Sequence, residues 1–171
     1  MRTTANALIV LLACCLSACA FAAVKKPNVD RYFSQFPQSQ VVSLEPAAAI
    51  DASKSALEGM GYEIQAVNSD LKMVRTKARP ALIPGVCDCG TWNGRQINGT
   101  GESSLMVTAE RREENASLVS IRHECFTQFA GQNLYGATTR RDTYQCASNG
   151  FAEKEFWASL TKVVASRQGR H

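Results

Sequence analysis

The residues of this chain with the most chemical potential are four cysteines and one histidine: Cys87, Cys89, His123, Cys125 and Cys146. Thiolate and imidazole are ligands that tetrahedral zinc accepts, and a free thiol beside a base can act as a nucleophile or a redox group. The spacing is not that of a zinc ribbon, however, and an even number of cysteines in an exported chain favours two disulfides. We therefore predict structural disulfides, no metal and no other cofactor, and we interpret His123 as a hydrogen-bonded strand residue.

The pairing of these cysteines depends on the strands that hold them. Val119, Ile121, His123 and Cys125 alternate with polar residues, which predicts a strand with these four side chains on one face. A further strand at 138–146 returns antiparallel, so Cys125 and Cys146 should lie nearly opposite each other. A bond between Cys87 and Cys89 would leave little room for relaxed disulfide geometry. We therefore favour a connectivity that joins the Cys-x-Cys segment to these strands, and both such connectivities remain open.

The Cys-x-Cys pair lies in a segment, 79–102, that is rich in glycine and contains two prolines. This composition predicts a long irregular loop, and structureless loops of such length are often functional. Trp92, with Asp88 and Arg95, is the candidate binding surface, because an accessible tryptophan suits a partner interface. The alternative is that Trp92 folds down over the sheet. Asp88 and Glu124 could form a catalytic carboxylate pair, but nothing in the sequence brings them together, so we interpret both as solvated acids.

The remaining segments predict an α+β domain at 41–167, an antiparallel sheet of about five strands with two helices packed on one face. The first helix, 47–60, follows Pro46 and stops at Gly61. The second has an apolar stripe at helical spacing, with Leu160 at its centre, and Ser148 or Asn149 can cap it. Strands are expected at 41–44, 62–66, 71–78, 105–110, 119–125 and 138–146. Residues 168–171 are a polar tail.

The amino-terminal residues have the form of an export signal. Arg2 precedes an apolar run from Ala7 to Leu16, too short for the roughly 20 residues of a membrane-spanning helix. Leu16-Ser17-Ala18-Cys19 resembles a bacterial lipobox, which implies that 1–18 is a lipoprotein signal peptide and that Cys19 carries the lipid, palmitate included. Residues 19–40 would then be a lipidated tether, and Ala20 favours the outer membrane. The alternative is an ordinary signal cut at Ala20-Phe21-Ala22, leaving a secreted or periplasmic protein. Cys14 and Cys15 fit the lipobox less well.

Two further segments carry a resemblance to a family. Leu57-Glu58-Gly59-Met60-Gly61-Tyr62-Glu63-Ile64 and the closing Phe156-Trp157-Ala158-Ser159-Leu160 resemble small domains of bacterial envelope lipoproteins. The nearest are the helix-grip domains of BamC, a component of the outer-membrane β-barrel assembly machinery. The resemblance covers about 41–165 and transfers no functional residue. It implies a helix-grip-like fold and a role in binding rather than catalysis.

Charge narrows the possible partners. The net charge is +4, and no basic run is interleaved with aromatics, which argues against nucleic acid. We therefore predict a non-enzymatic envelope protein that contacts the membrane through its lipid and binds another envelope component. The alternative is a periplasmic thiol-redox or metal-binding protein that uses the Cys87/Cys89 loop. A hydrolase inhibitor or small enzyme is a third option.

Overall fold

The computed structural model describes residues 37–92, 94–132 and 138–168. The predicted signal peptide, Cys19 and nearly all of the tether therefore lie outside the described residues. The elements within them, in chain order, are β1 (Ser39–Val42), α1 (Pro46–Gly59), β2 (Ile64–Asn68), β3 (Met73–Thr76), β4 (Arg79–Ile83), β5 (Cys87–Asp88), β6 (Thr91–Trp92), β7 (Arg95–Gln96), β8 (Gly99–Glu113), β9 (Ala116–Gln132), β10 (Thr138–Ser148) and α2 (Phe151–Gln168). The predicted α+β class is confirmed.

The main sheet is antiparallel and, among the described residues, has eight strands rather than the five or so predicted. Its path is β2-β3-β8-β9-β10-β5, with β4 also beside β8 and β1 also beside β9. The extra strands fit because β8 and β9 are long, 15 and 17 residues. Each therefore has room for two shorter neighbours along one edge: β3 and β4 on β8, and β1 and β10 on β9.

The prediction of an irregular loop at 79–102 is wrong. β4 pairs residue by residue with the start of β8, from Arg79 opposite Ser103 to Ile83 opposite Gly99. Pro80 is compatible with a strand at the edge of a sheet. Gly101 lies inside β8, where a Cβ would stand 2.3 Å from the carbonyl oxygen of Phe126 on β9. The glycine therefore permits a close approach of two backbones, and its presence does not mark a loop.

Both helices begin and end close to where local signals place them. Pro46 occupies the first turn of α1, and Gly61 follows the helix with a φ of 79°. The Tyr62 N–H donates to the Leu57 carbonyl at 3.0 Å, closing the helix end in the manner of a Schellman motif. At the start of α2, Asn149 Oδ1 accepts the Phe151 N–H at 3.0 Å. Asn149 thus satisfies an N–H of the first turn, while the N-cap position itself is held by Gly150, whose carbonyl accepts the Lys154 N–H at 3.0 Å.

Both ends of the predicted domain shift by a residue or two. β1 begins at Ser39, inside the stretch assigned to the tether. Just before it, the carbonyl of Pro37 accepts the indole N–H of Trp157 on α2 at 2.6 Å. At the other end, Gln168, assigned to the polar tail, is the last residue of α2. Residues 169–171 lie outside the described part of the chain.

Two hydrophobic clusters form the interior of the part of the chain that the structure describes. In the larger one, both helices cover one face of the sheet, with Leu57, Phe156 and Leu160 packed near Val107 and Val119. The smaller one contains all four cysteines of the domain together with Ala81, Ile83 and Ile97. One face of β9 therefore contributes to both clusters: Ile121 belongs to the larger one and Cys125 to the smaller one. His123 lies between these two residues, where the helical layer meets the disulfide-bonded segment.

Candidate functional site

The four cysteines form two buried disulfides, Cys87–Cys125 and Cys89–Cys146. Cys125 and Cys146 are directly opposite each other on β9 and β10, as the sequence predicts. β5 pairs with the end of β10, with Cys87 opposite Ser148. Both bonds therefore join the Cys-x-Cys segment to the long strands, which is one of the two favoured connectivities. They fasten Cys87 of β5 and the adjoining Cys89 to β9 and β10.

His123 belongs to a buried polar network that links β9, β10 and the first turn of α2. Its Nδ1 lies 2.9 Å from the Ser148 hydroxyl, and that hydroxyl donates to Glu153 Oε2 at 2.8 Å. Nδ1 of His123 is also 3.6 Å from Glu153 Oε2, and the two side chains are 0% and 4% exposed. The backbone N–H of Gly150 donates to Ser148 Oγ at 3.0 Å. The interpretation of His123 as a hydrogen-bonded strand residue is confirmed.

The bonding pattern assigns the protons of this network. Ser148 has one hydroxyl proton, and it goes to the carboxylate of Glu153. The serine oxygen must then accept at the His123 contact, so Nδ1 of His123 carries a proton. A catalytic triad instead places the serine and the carboxylate on opposite nitrogens of the ring. In this network both lie on the Nδ1 side, so the arrangement fixes the orientation of the ring and does not activate the serine.

Glu153 is ionised in this setting. Burial raises the pKa of its carboxyl group, but hydrogen bonds from His123 and Ser148 lower it by more, and the net result is a pKa below the usual 4.5. A carboxylate in the first turn of a helix also interacts favourably with the helix dipole. The sequence pointed to Ser148 only as a possible cap, and it did not single out Glu153. No helix-start signal could have done so, because Ser148 and Glu153 are five positions apart and a capping box places its two residues three apart.

The sheet face opposite the helices carries an open groove of about 890 Å³. It lies between β1 and β10, which pair with different stretches of the same edge of β9. Met106, Thr108 and Arg122, which alternate with buried residues of β8 and β9, contribute to its walls. Its other lining residues are Gln38, Ser39, Ser120, Ile121, His123, Thr143, Tyr144, Gln145, Cys146 and Ser148. The groove therefore reaches the stretch of β9 and β10 that holds the buried network.

Charged side chains lie beside this groove. Glu124 accepts a hydrogen bond from Arg75 at 2.8 Å and lies 3.8 Å from Nε of Arg122. Asp88, considered from the sequence as a catalytic partner of Glu124, does not line the groove. It is half-buried, and its Oδ1 accepts the Gly90 N–H at 2.7 Å. Each acid thus has a structural partner of its own, and neither is the freely solvated group that the sequence suggested.

The predicted binding loop is a short hairpin of β6 and β7. Trp92 pairs with Arg95 through the backbone, and the Arg95 side chain is exposed. The Trp92 side chain lies outside what the structure describes, so its role stays a prediction. Asp88 is on β5, before the hairpin, and neither it nor Arg95 lines the groove. The groove and the buried network were both missed by reasoning from the sequence.

Comparison with known proteins does not add a family. No protein-family model matches this chain, and a search of curated proteins found no match either. The resemblance to BamC-type domains therefore stays a prediction. Within the residues that the structure describes, neither helix has the length and apolar character that crossing a membrane requires.

Proposed function

We propose that this chain is a lipid-anchored envelope protein whose domain binds a polypeptide segment of another envelope protein, without catalysis, in the groove between β1 and β10. The observation that carries the proposal is the groove itself, a large open depression on a sheet face that no described helix covers. Concave surfaces with a few converging polar groups are the usual form of binding sites.

The lining of the groove suits a peptide. Hydroxyl, amide and guanidinium groups are supplied by residues such as Thr108, Gln145 and Arg122, and apolar surface, including that of Met106, lies between them. Such groups can donate to and accept from a peptide backbone, whose N–H and C=O groups must find partners when they leave water. A segment of another protein is therefore a better fit than a wholly apolar ligand.

The two disulfides support the proposed location in the cell envelope. Disulfides form and persist in exported proteins and are rare in the reducing cytosol. Both bonds are buried, and together they enclose the smaller core. This agrees with the export signal and the lipobox resemblance at Cys19. The outer membrane and the lipid on Cys19 are parts of the proposal that rest on the sequence alone.

A site-specific crosslinking experiment tests the binding surface. The full chain, produced in a diderm bacterium, carries a photoreactive residue at Thr108 in the groove or, as a matched control, at exposed Lys162 on α2. We expect a crosslink to one envelope protein from position 108, lost when Arg122→Glu is added, and none from position 162. Equal products from both positions, or none from 108, would contradict the proposed surface.

The anchor is tested separately. Cys19→Ser should move the protein out of the membrane fraction or leave its leader uncleaved, and it should abolish labelling with a radioactive fatty acid. Cys14→Ser and Cys15→Ser are the controls, and both should leave labelling and fractionation unchanged. Lipid labelling that persists in the Cys19→Ser variant would rule out the assignment.

The second candidate is the metal-binding or thiol-redox function, and one observation favours it. Cys87, His123 and Cys125 bring three ligand-type atoms within 4.8 Å of one another. This set differs from the Cys87/Cys89 loop that the sequence suggested for this function, because His123 and Cys125 take the place of Cys89.

A further inference from the structure

The contact between His123 and the Cys87–Cys125 disulfide has no part in the proposed groove function. The three residues are buried, and Nε2 of His123 is 3.4 Å from Sγ of Cys125. The cluster thus combines two sulfurs and one ring nitrogen, away from solvent. Sulfur and imidazole nitrogen are the atoms that zinc sites in proteins use most.

We propose that this cluster is a redox-gated zinc site, in which the two thiolates and Nε2 of His123 bind one Zn²⁺ once the Cys87–Cys125 disulfide is reduced. The reductant is a dithiol, which gives two electrons and two protons to the disulfide and becomes a cyclic disulfide itself. Each cysteine thiol then loses its proton to solvent as it binds the ion. Exchange with an oxidised dithiol runs the reaction backwards and releases the metal.

One observed separation is close to what a zinc ion requires, whereas the two sulfurs, now bonded to each other, have to move apart. With Zn–S near 2.3 Å and Zn–N near 2.0–2.1 Å, a sulfur and a nitrogen on a tetrahedral ion stand about 3.6 Å apart, and two sulfurs about 3.8 Å. The observed distance from Nε2 to Cys125 Sγ is 3.4 Å. The same sulfur is 3.9 Å from Nδ1, so it lies partly over the ring. Opening the disulfide has to move it toward the Nε2 lone pair.

The buried network prepares His123 for this role. Because the Ser148 hydroxyl donates to Glu153, Nδ1 of His123 carries a proton, which leaves Nε2 as the ring nitrogen available to a metal. Histidines that bind metals commonly donate their other N–H to a group that fixes the ring, as His123 does to Ser148. Two thiolates also balance the charge of Zn²⁺, so filling the site would add no net charge to the interior beyond that of Glu153.

Zinc titration of the reduced protein is the direct test. The full chain with Cys14, Cys15 and Cys19 replaced by alanine, so that leader thiols cannot bind metal, is reduced with a dithiol and desalted without oxygen. It is then titrated with Zn²⁺ against a chromophoric chelator. We expect one Zn²⁺ per reduced chain and none per oxidised chain.

Two variants identify the ligands. Adding Cys89→Ala with Cys146→Ala removes the other disulfide but keeps the three proposed ligands, and the zinc affinity should stay within about tenfold. Adding His123→Asn should lower the affinity by at least about tenfold. Loss of zinc in the first variant, or an unchanged affinity in the second, would overturn the assignment.

X-ray absorption of the zinc-loaded reduced protein removes any dependence on how the variants fold. We expect two sulfur neighbours near 2.3 Å and an imidazole nitrogen near 2.0–2.1 Å. Four sulfur neighbours would show that the cysteines alone hold the metal and would overturn the role of His123. A reduced chain that fails to bind zinc at all would overturn the proposal as a whole.

Discussion

Removing the two disulfides one at a time should reveal how the smaller core is held together. The variants are Cys87→Ala with Cys125→Ala, and Cys89→Ala with Cys146→Ala. The bonds close loops of 38 and 57 residues. In the chain-entropy model these loops correspond to about 3.9 and about 4.2 kcal/mol of stability. A typical domain has only about 5–15 kcal/mol in total, so either loss should be large.

Comparing the two variants with each other sharpens the prediction. All four cysteines are almost fully buried, so the packing lost on truncation to alanine is similar in both pairs. Because loop entropy grows only with the logarithm of length, the two free energies of unfolding should differ by about 0.4 kcal/mol. Urea unfolding of the oxidised variants, followed by circular dichroism, measures both values. Hydrogen exchange should also show faster amide exchange in 79–97 than in α1.

Two results would refute this reasoning. A loss of less than about 1 kcal/mol in either variant would mean that the bond does not restrain the unfolded chain as the model assumes. A difference of more than about 2 kcal/mol between the variants could not come from loop length. It would instead point to the contact of Cys125 with His123, which only one of the two pairs makes.

Four other substitutions, one of them a matched control, test the packing and the buried network. Leu160→Ala, at a side chain that is 1% exposed, should cost about 2–5 kcal/mol in urea unfolding, and an unchanged midpoint would show that α2 does not bury this face. Gly101→Ala would bring a Cβ to 2.3 Å from the Phe126 carbonyl oxygen and should cost about 1–3 kcal/mol. Gly59→Ala is its matched control, because the added Cβ would lie 3.9 Å from Ser159 Oγ, an ordinary contact, and it should raise stability by up to about 1 kcal/mol. If both glycine variants shift the midpoint alike, the close approach of β8 to β9 is not what requires Gly101. Glu153→Gln should cost about 1.5–3 kcal/mol at pH 7, since it removes a buried charged acceptor. Because the folded pKa of Glu153 lies below its usual 4.5, the difference from wild type should be full above that pH and vanish as the pH falls through the folded value. A difference that does not change between pH 7 and pH 3 would exclude this source.

The sequence alone determined the elements whose signals are local. Pro46 and Gly61 bound α1 because a proline suits a first helical turn and a glycine accepts the positive φ that follows the helix. The stripe around Leu160 predicted which face of α2 is buried. Alternation along β9 fixed the hairpin register closely enough to place Cys125 opposite Cys146.

The segment 79–102 shows where local signals mislead. Its prolines and glycines are typical of a loop, yet β4 forms because it pairs with the start of β8, some twenty residues further along the chain. The residues of β4 alone do not predict that it pairs with β8. The two-residue strand β5 likewise depends on β10, and on two disulfides whose other halves lie 38 and 57 residues away.

The buried network and the groove were decided by the tertiary structure alone. His123, Ser148 and Glu153 come from β9, the end of β10 and α2, and each is unremarkable in its own segment. They meet because the inner face of β9 extends beyond the helices to the disulfides. His123 lies on this face between the two hydrophobic clusters, and the first turn of α2 packs at the same place. The groove exists because β9 is longer than either neighbour on its edge, so β1 and β10 each cover only part of it. Such a gap depends on the relative lengths and registers of three strands distant in sequence, and periodicity within any one strand does not encode it.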